Sequence, residues 1–215
     1  MERAVWRLGM RGLVFLLASL SFACLLGQIH GLWSMRVFAC LVLVPSTLLL
    51  AAIALRNRGD FRNLETPAGW IVLGAIAGLI SAVAYDLYRL PFVMAGAPLF
   101  NVFPRFGELV LESHEPRWLV HLLGWSYHFS NGAALGIMFL AVVTAFRRAN
   151  LFWCAIAWAL VVEALLLISN YANFFGFQLN GRFLFLTISA HLVFGIVLGI
   201  LCQRARLQGG DALQA

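Results

Sequence analysis

The chain has 215 residues, 62% of them hydrophobic and 11% charged, with a formal charge of +6. Soluble chains are about 45–50% apolar and about 25% charged, so a water-soluble fold would lack polar surface. The arginines are too dispersed to form a nucleic-acid-binding face. The composition therefore predicts an all-α, multi-pass membrane protein, one domain over residues 1–215, with the lipid bilayer as its solvent and no nucleic-acid partner.

A spanning helix needs about 20 mainly apolar residues. Six stretches qualify, at 11–29, 36–55, 69–91, 118–146, 151–169 and 183–202. Their continuous apolar character excludes the alternation of a membrane barrel. The first begins with a basic MERAVWR, as a signal peptide would, yet its apolar run continues through Leu25, Leu26 and Gly27 without a small-x-small cleavage site. It is expected as the first span. Cys24, Cys40, Cys154 and Cys202 lie in or at these segments and read as small buried hydrophobes. One bridge between Cys24 and Cys40 stays open, because the two could share a depth in the first hairpin.

Arginine placement predicts sidedness. One side collects Arg3, Arg7, Arg11, Arg56, Arg58, Arg62, Arg147, Arg148, Arg204 and Arg206; the other has Arg36, Arg105, Arg117 and Arg182, with Glu108, Glu112 and Glu115. The positive-inside rule then puts both termini in the cytoplasm, in a bacterial-type plasma (inner) membrane. Between spans three and four an outer loop at 92–117 is interrupted by prolines. A short interfacial helix is expected there at Phe106–Ser113, either as an amphipathic cover or as a lid over an outward opening.

Spans three to six share a stripe at spacing four, which falls on one helix face. Span three carries Gly74, Gly78, Ala82 and Asp86; span four carries His121, Trp125, His128, Gly132 and Gly136. Span five carries Ala155, Ala159 and Glu163; span six carries His191, Gly195 and Gly199. Small residues lie toward the cytoplasmic end and predict close helix packing. At ~1.5 Å per residue, Asp86, Glu163, His191 and His128 lie about 7, 10, 12 and 15 Å below the outer end. A lone charge facing lipid costs about 2.5–3.5 kcal/mol, so these groups are expected to face one another across a cavity. Arg89 is expected to pair with Asp86 or Glu163, or to snorkel outward. Asn131, Asn170, Tyr171 and Asn173 make the outer mouth polar.

Four classes of function follow. The leading one is an accessory or structural membrane protein, with a membrane-protein partner or a homo-oligomeric contact. A metal-dependent enzyme acting on a lipid-like substrate would use His128, His191 and Asp86 as Zn or Fe ligands, Glu163 as general base and Arg89 as a further catalytic group. A single haem would take His128 and His191 as axial ligands. A proton- or ion-coupled transporter would use the same carboxylates and histidines as a relay. No P-loop, GxGxxG, GxSxG or HExxH motif is present.

Overall fold

The computed structural model describes residues 2–57, 61, 63–111, 115–146 and 148–211. Arg58, Arg62, Arg147 and Glu112, all used above to assign sides, lie outside these residues, as does Ser113 at the end of the expected outer helix. The described chain is helical throughout: α1 (Glu2–Ile29), α2 (Met35–Phe38), α3 (Val44–Arg56), α4 (Pro67–Met94), α5 (Val102–Val110), α6 (Arg117–Val143), α7 (Leu151–Ile168), α8 (Tyr171–Phe175) and α9 (Gly181–Asp211). Six of its segments are long and apolar enough to cross a membrane, with α2 and α3 forming one span. Six spans return both termini to one end, here called proximal; the 95–116 connection lies at the distal end.

Local chemistry sets the ends and breaks. Thr66 caps α4 by accepting from the Gly69 amide at 3.1 Å, with Pro67 in the first turn, where its missing N–H costs nothing. Asn150 caps α7 in the same way. Between α2 and α3 the chain widens into a π-helical stretch at Ala39–Leu43. Pro45 follows it; its ring cannot donate to the preceding turn, and a wider turn relieves the clash. Helix α4 runs three residues past the expected stop at Pro91 and closes at Gly96. There φ is +90° and the Ala97 amide reaches back to the Phe92 carbonyl at 2.9 Å.

The small-residue stripes form two tight helix pairs. A Cβ at Gly78 would stand 2.1 Å from the Gly132 carbonyl oxygen, and one at Gly136 would stand 2.0 Å from the Gly74 oxygen. That binds α4 to α6. On the other side Gly195 meets Ala155 and Ala159, and Gly199 meets Phe152, which binds α7 to α9. Extensive contact between α4 and α9 joins the pairs, whereas α6 and α7 barely touch. The expected four-way closure toward the proximal end is therefore open on one side.

Helix α1 packs into the core beside the four striped helices. Val14, Ala18, Cys24 and Leu25 are buried, the Tyr127 hydroxyl donates to the Ser21 carbonyl at 2.6 Å, and Ser21 Oγ donates to Asn131 Oδ1 at 2.5 Å. At the proximal end Arg11 donates to Thr144 Oγ1 and to the Ala141 carbonyl, which satisfies the C-terminus of α6. All four cysteines are free, and Cys40 is exposed rather than buried, on a span whose Leu41, Val44 and Leu48 also face outward.

The short outer helix begins at Val102, four residues before the expected start. Pro104 sits in its first turn, where an N–H is not needed. Val102, Phe103, Phe106 and Gly107 are buried, while Arg105 and Glu108 are exposed. Gly107 and Gly124 clamp it to α6: added Cβ atoms would stand 2.0 Å from the Val120 oxygen and 1.9 Å from the Phe103 oxygen.

Gly78→Val should therefore lower stability in detergent by about 1–3 kcal/mol or more through overpacking against backbone. Gly12→Ala, which meets nothing within 4 Å, should change it by less than about 0.5 kcal/mol. Thermal unfolding of the two purified variants measures the difference.

Candidate functional site

The ionisable residues of the four stripes converge at the distal end. Asp86, Arg89, Glu163 and His191 are 8%, 7%, 4% and 8% exposed. His128 is nearly as buried. His121 is exposed and stands apart from them.

They form two groups. In the first, His128 Nε2 donates to Asp86 Oδ2 at 2.8 Å, joining α6 to α4. Arg89 Nη1 lies 3.4 Å from Asp86 Oδ1, and Arg89 Nη2 donates to the Leu99 carbonyl at 2.7 Å. The guanidinium lies over the rings of Tyr85, Phe100 and Phe103 at 4.8, 5.2 and 5.7 Å. Arg89 thus points inward, and it ties the loop after α4 to the core.

In the second group, His191 Nδ1 lies 2.9 Å from both the Thr187 carbonyl and Glu163 Oε2, joining α9 to α7. The other carboxylate oxygen, Glu163 Oε1, is buried with no hydrogen-bond partner. An unsatisfied buried acceptor costs about 1–3 kcal/mol, and more when charged.

Tyr85 sits between the two groups, its ring 5.1 Å from His191 and 6.3 Å from His128. It is one residue before Asp86 and four before Arg89, a spacing that already placed it on the Arg89 face. Gly124 was missed in the same way. It extends the His128, Gly132, Gly136 stripe by one turn and seats α5.

Both groups border one cavity, which Tyr85, Arg89, His128, Glu163 and His191 line at its polar side. Gly132, Ala82, Leu135 and Phe194 close it on the proximal side, α5 and α8 cover it distally, and Phe22, Leu25 and Leu26 of α1 form a wall. Its volume is about 140 Å³, room for roughly five waters at about 30 Å³ each. Tyr171, on the short helix α8, also lines it; burial raises the pKa of its phenol, which keeps the hydroxyl a donor at neutral pH.

No protein-family model, no curated protein and no solved structure matches this chain. Its chemistry is read from its own residues.

Among the described residues, no three His, Cys, Asp or Glu side chains are placed to hold one metal ion. Asp86 and His128 meet each other, while His191 is engaged by Glu163 on the far side of Tyr85. The Zn or Fe set expected from His128, His191 and Asp86 is not assembled as a trio. For a haem, the two histidines do stand at one cavity, but Tyr85 lies near both and the space falls far short of a porphyrin. What the arrangement does offer is a buried carboxylate with one unpartnered oxygen, backed by a histidine, at the edge of a largely apolar cavity.

The two groups predict different responses. Arg89→Ala leaves the buried Asp86 carboxylate with His128 alone and the Leu99 carbonyl without its donor, and should cost about 3–5 kcal/mol. The double variant Asp86→Asn/Arg89→Met keeps an acceptor for His128 and removes both charges, so it should recover most of that loss. Folded yield and melting temperature in detergent distinguish the two.

Proposed function

We propose that this multi-pass membrane protein binds an amphipathic, lipid-like molecule at the distal cavity, with a hydrogen-bond donor of that molecule on Glu163. The carrying observation is Glu163 Oε1: a buried acceptor without a partner, on a side chain lining a cavity whose other walls are mostly apolar. A hydroxyl or amine at the end of a hydrocarbon chain supplies what the site lacks. Leu166 and Leu167 on α7, with Leu25 and Leu26 on α1, suit its first carbons. The volume accepts the polar end, and the rest of the molecule remains among lipid chains.

The accessory or structural role expected from composition describes the Asp86 half, where the charges are mutually satisfied. Glu163 and His191 are the half left with chemistry to offer. Should the bound molecule react, His191 positions Glu163 to take a proton from its hydroxyl or amine. With the termini in the cytoplasm, as the arginine bias favours, the site belongs to the outer half of the membrane.

Organic extracts of the detergent-purified protein, analysed by mass spectrometry, should contain a hydroxyl- or amine-bearing lipid-like species near one equivalent. Glu163→Leu should weaken its binding about tenfold or more, the equivalent of about 1.4 kcal/mol, and so lower the amount recovered. An extract no richer than solubilised membrane, or one unchanged in the variant, would remove this reading. For orientation, a reporter that is active only outside the cytoplasm should be silent when fused at the C-terminus.

A further inference from the structure

The open side between α6 and α7 holds a second, separate concavity. It has a volume of about 710 Å³ and is lined by apolar residues of the two helices and of the turn after α6, among them Phe139, Val142, Phe146 and Val161, with Arg148 and Ala149 at its proximal mouth. Val142, Phe146 and Val161 are 41%, 64% and 54% exposed. The volume lies within the range of about 300–1,000 Å³ found for ligand clefts.

Two polar features sit in this apolar groove. Trp158 packs on Phe139 with ring centroids 6.5 Å apart, and its indole Nε1 is buried with no acceptor. Arg148 is exposed and makes no ion pair among the described residues. A further cation adjoins the mouth, since Arg206 donates to the Ala149 carbonyl at 2.6 Å.

We propose that this groove is a binding site for a phospholipid of net negative charge in the leaflet at the termini end. The phosphate would meet Arg148, an acyl chain would fill the groove, and an ester carbonyl would accept from Trp158 Nε1. Depth supports the match. Trp158 lies seven residues into α7 from Leu151, about 10 Å along the axis, but a helical side chain leans toward the helix N-terminus. That brings the indole back toward Arg148, and in a phospholipid the ester carbonyls lie one glycerol unit below the phosphate. Charge complementarity at Arg148 favours this occupant over a helix of a second copy, whose backbone acceptors are already paired within the helix and so leave Trp158 Nε1 unmet.

The test is native mass spectrometry of the full chain titrated with phosphatidylglycerol and with phosphatidylcholine. Phosphatidylglycerol should bind at least several-fold more tightly. Arg148→Ala should weaken it about fivefold, and Trp158→Phe, which keeps the ring and removes the donor, should weaken it by a similar factor. Arg148 is at the surface, so its variant folds whatever the groove holds. Equal binding of the two lipids, binding unchanged in both variants, or a lipid-free dimer broken by Phe146→Asp would each overturn the proposal, the last assigning the groove to a second copy.

Discussion

A charge within a lipid-length helix has to turn inward and find a partner, and most of this architecture answers that requirement. Insertion scales put the cost of an unpartnered Asp at mid-helix at about 2.5–3.5 kcal/mol. Asp86, Glu163, His128 and His191 come from four different helices, so partnering them requires those helices to converge. Glycine and alanine make that possible. Gly78 against Gly132 and Gly74 against Gly136 bring the α4 and α6 backbones together, and one turn beyond that contact His128 meets Asp86. Along the second pair, Gly195 meets Ala159 and, four residues farther along each helix, His191 meets Glu163. Packing and electrostatics are two parts of one stripe.

The two pairs differ in how completely they are satisfied. Asp86 has His128 and Arg89, and Arg89 in turn holds Leu99 and lies over aromatic faces. Such a set resembles a rivet, fixing the loop after α4 and the aromatic layer under α5. Glu163 has a single partner, and that partner is shared with a backbone carbonyl. Functional sites are where a fold tolerates an unmet local requirement, and Glu163 Oε1 is the buried carboxylate oxygen without a partner among the described residues.

Much of this was legible in the residues. The spans stood out because each is a continuous apolar run, and the stripes because glycine or alanine recurs every four residues on the faces that carry the ionisable groups. The cavity between those faces followed from the cost of charge in lipid. What spacing along single helices leaves open is which helix meets which. Hence the pairing of α4 with α6 and α7 with α9, the groove left between α6 and α7, and the wall supplied by α1 all needed tertiary structure. Tyr85 and Gly124 carried a readable signal, being four residues from Arg89 and from His128. The π-helical stretch before Pro45 and the early start of α5 at Val102 were set by prolines whose local effect is plain once the helix register is known. Whether three donors share one point is a matter of ångströms, and helix periodicity does not resolve it.

The division of the cluster into a structural half and a ligand-binding half has a direct thermodynamic consequence. A carboxylate kept for a ligand costs stability when the ligand is absent. Replacing Glu163 with leucine leaves His191 Nδ1 with the Thr187 carbonyl, so no new orphan is created. The decisive measurement is the melting temperature of delipidated Glu163→Leu protein beside delipidated wild type. A rise of several degrees is the predicted result. A fall would show that Glu163, like Asp86, is there to hold the bundle together.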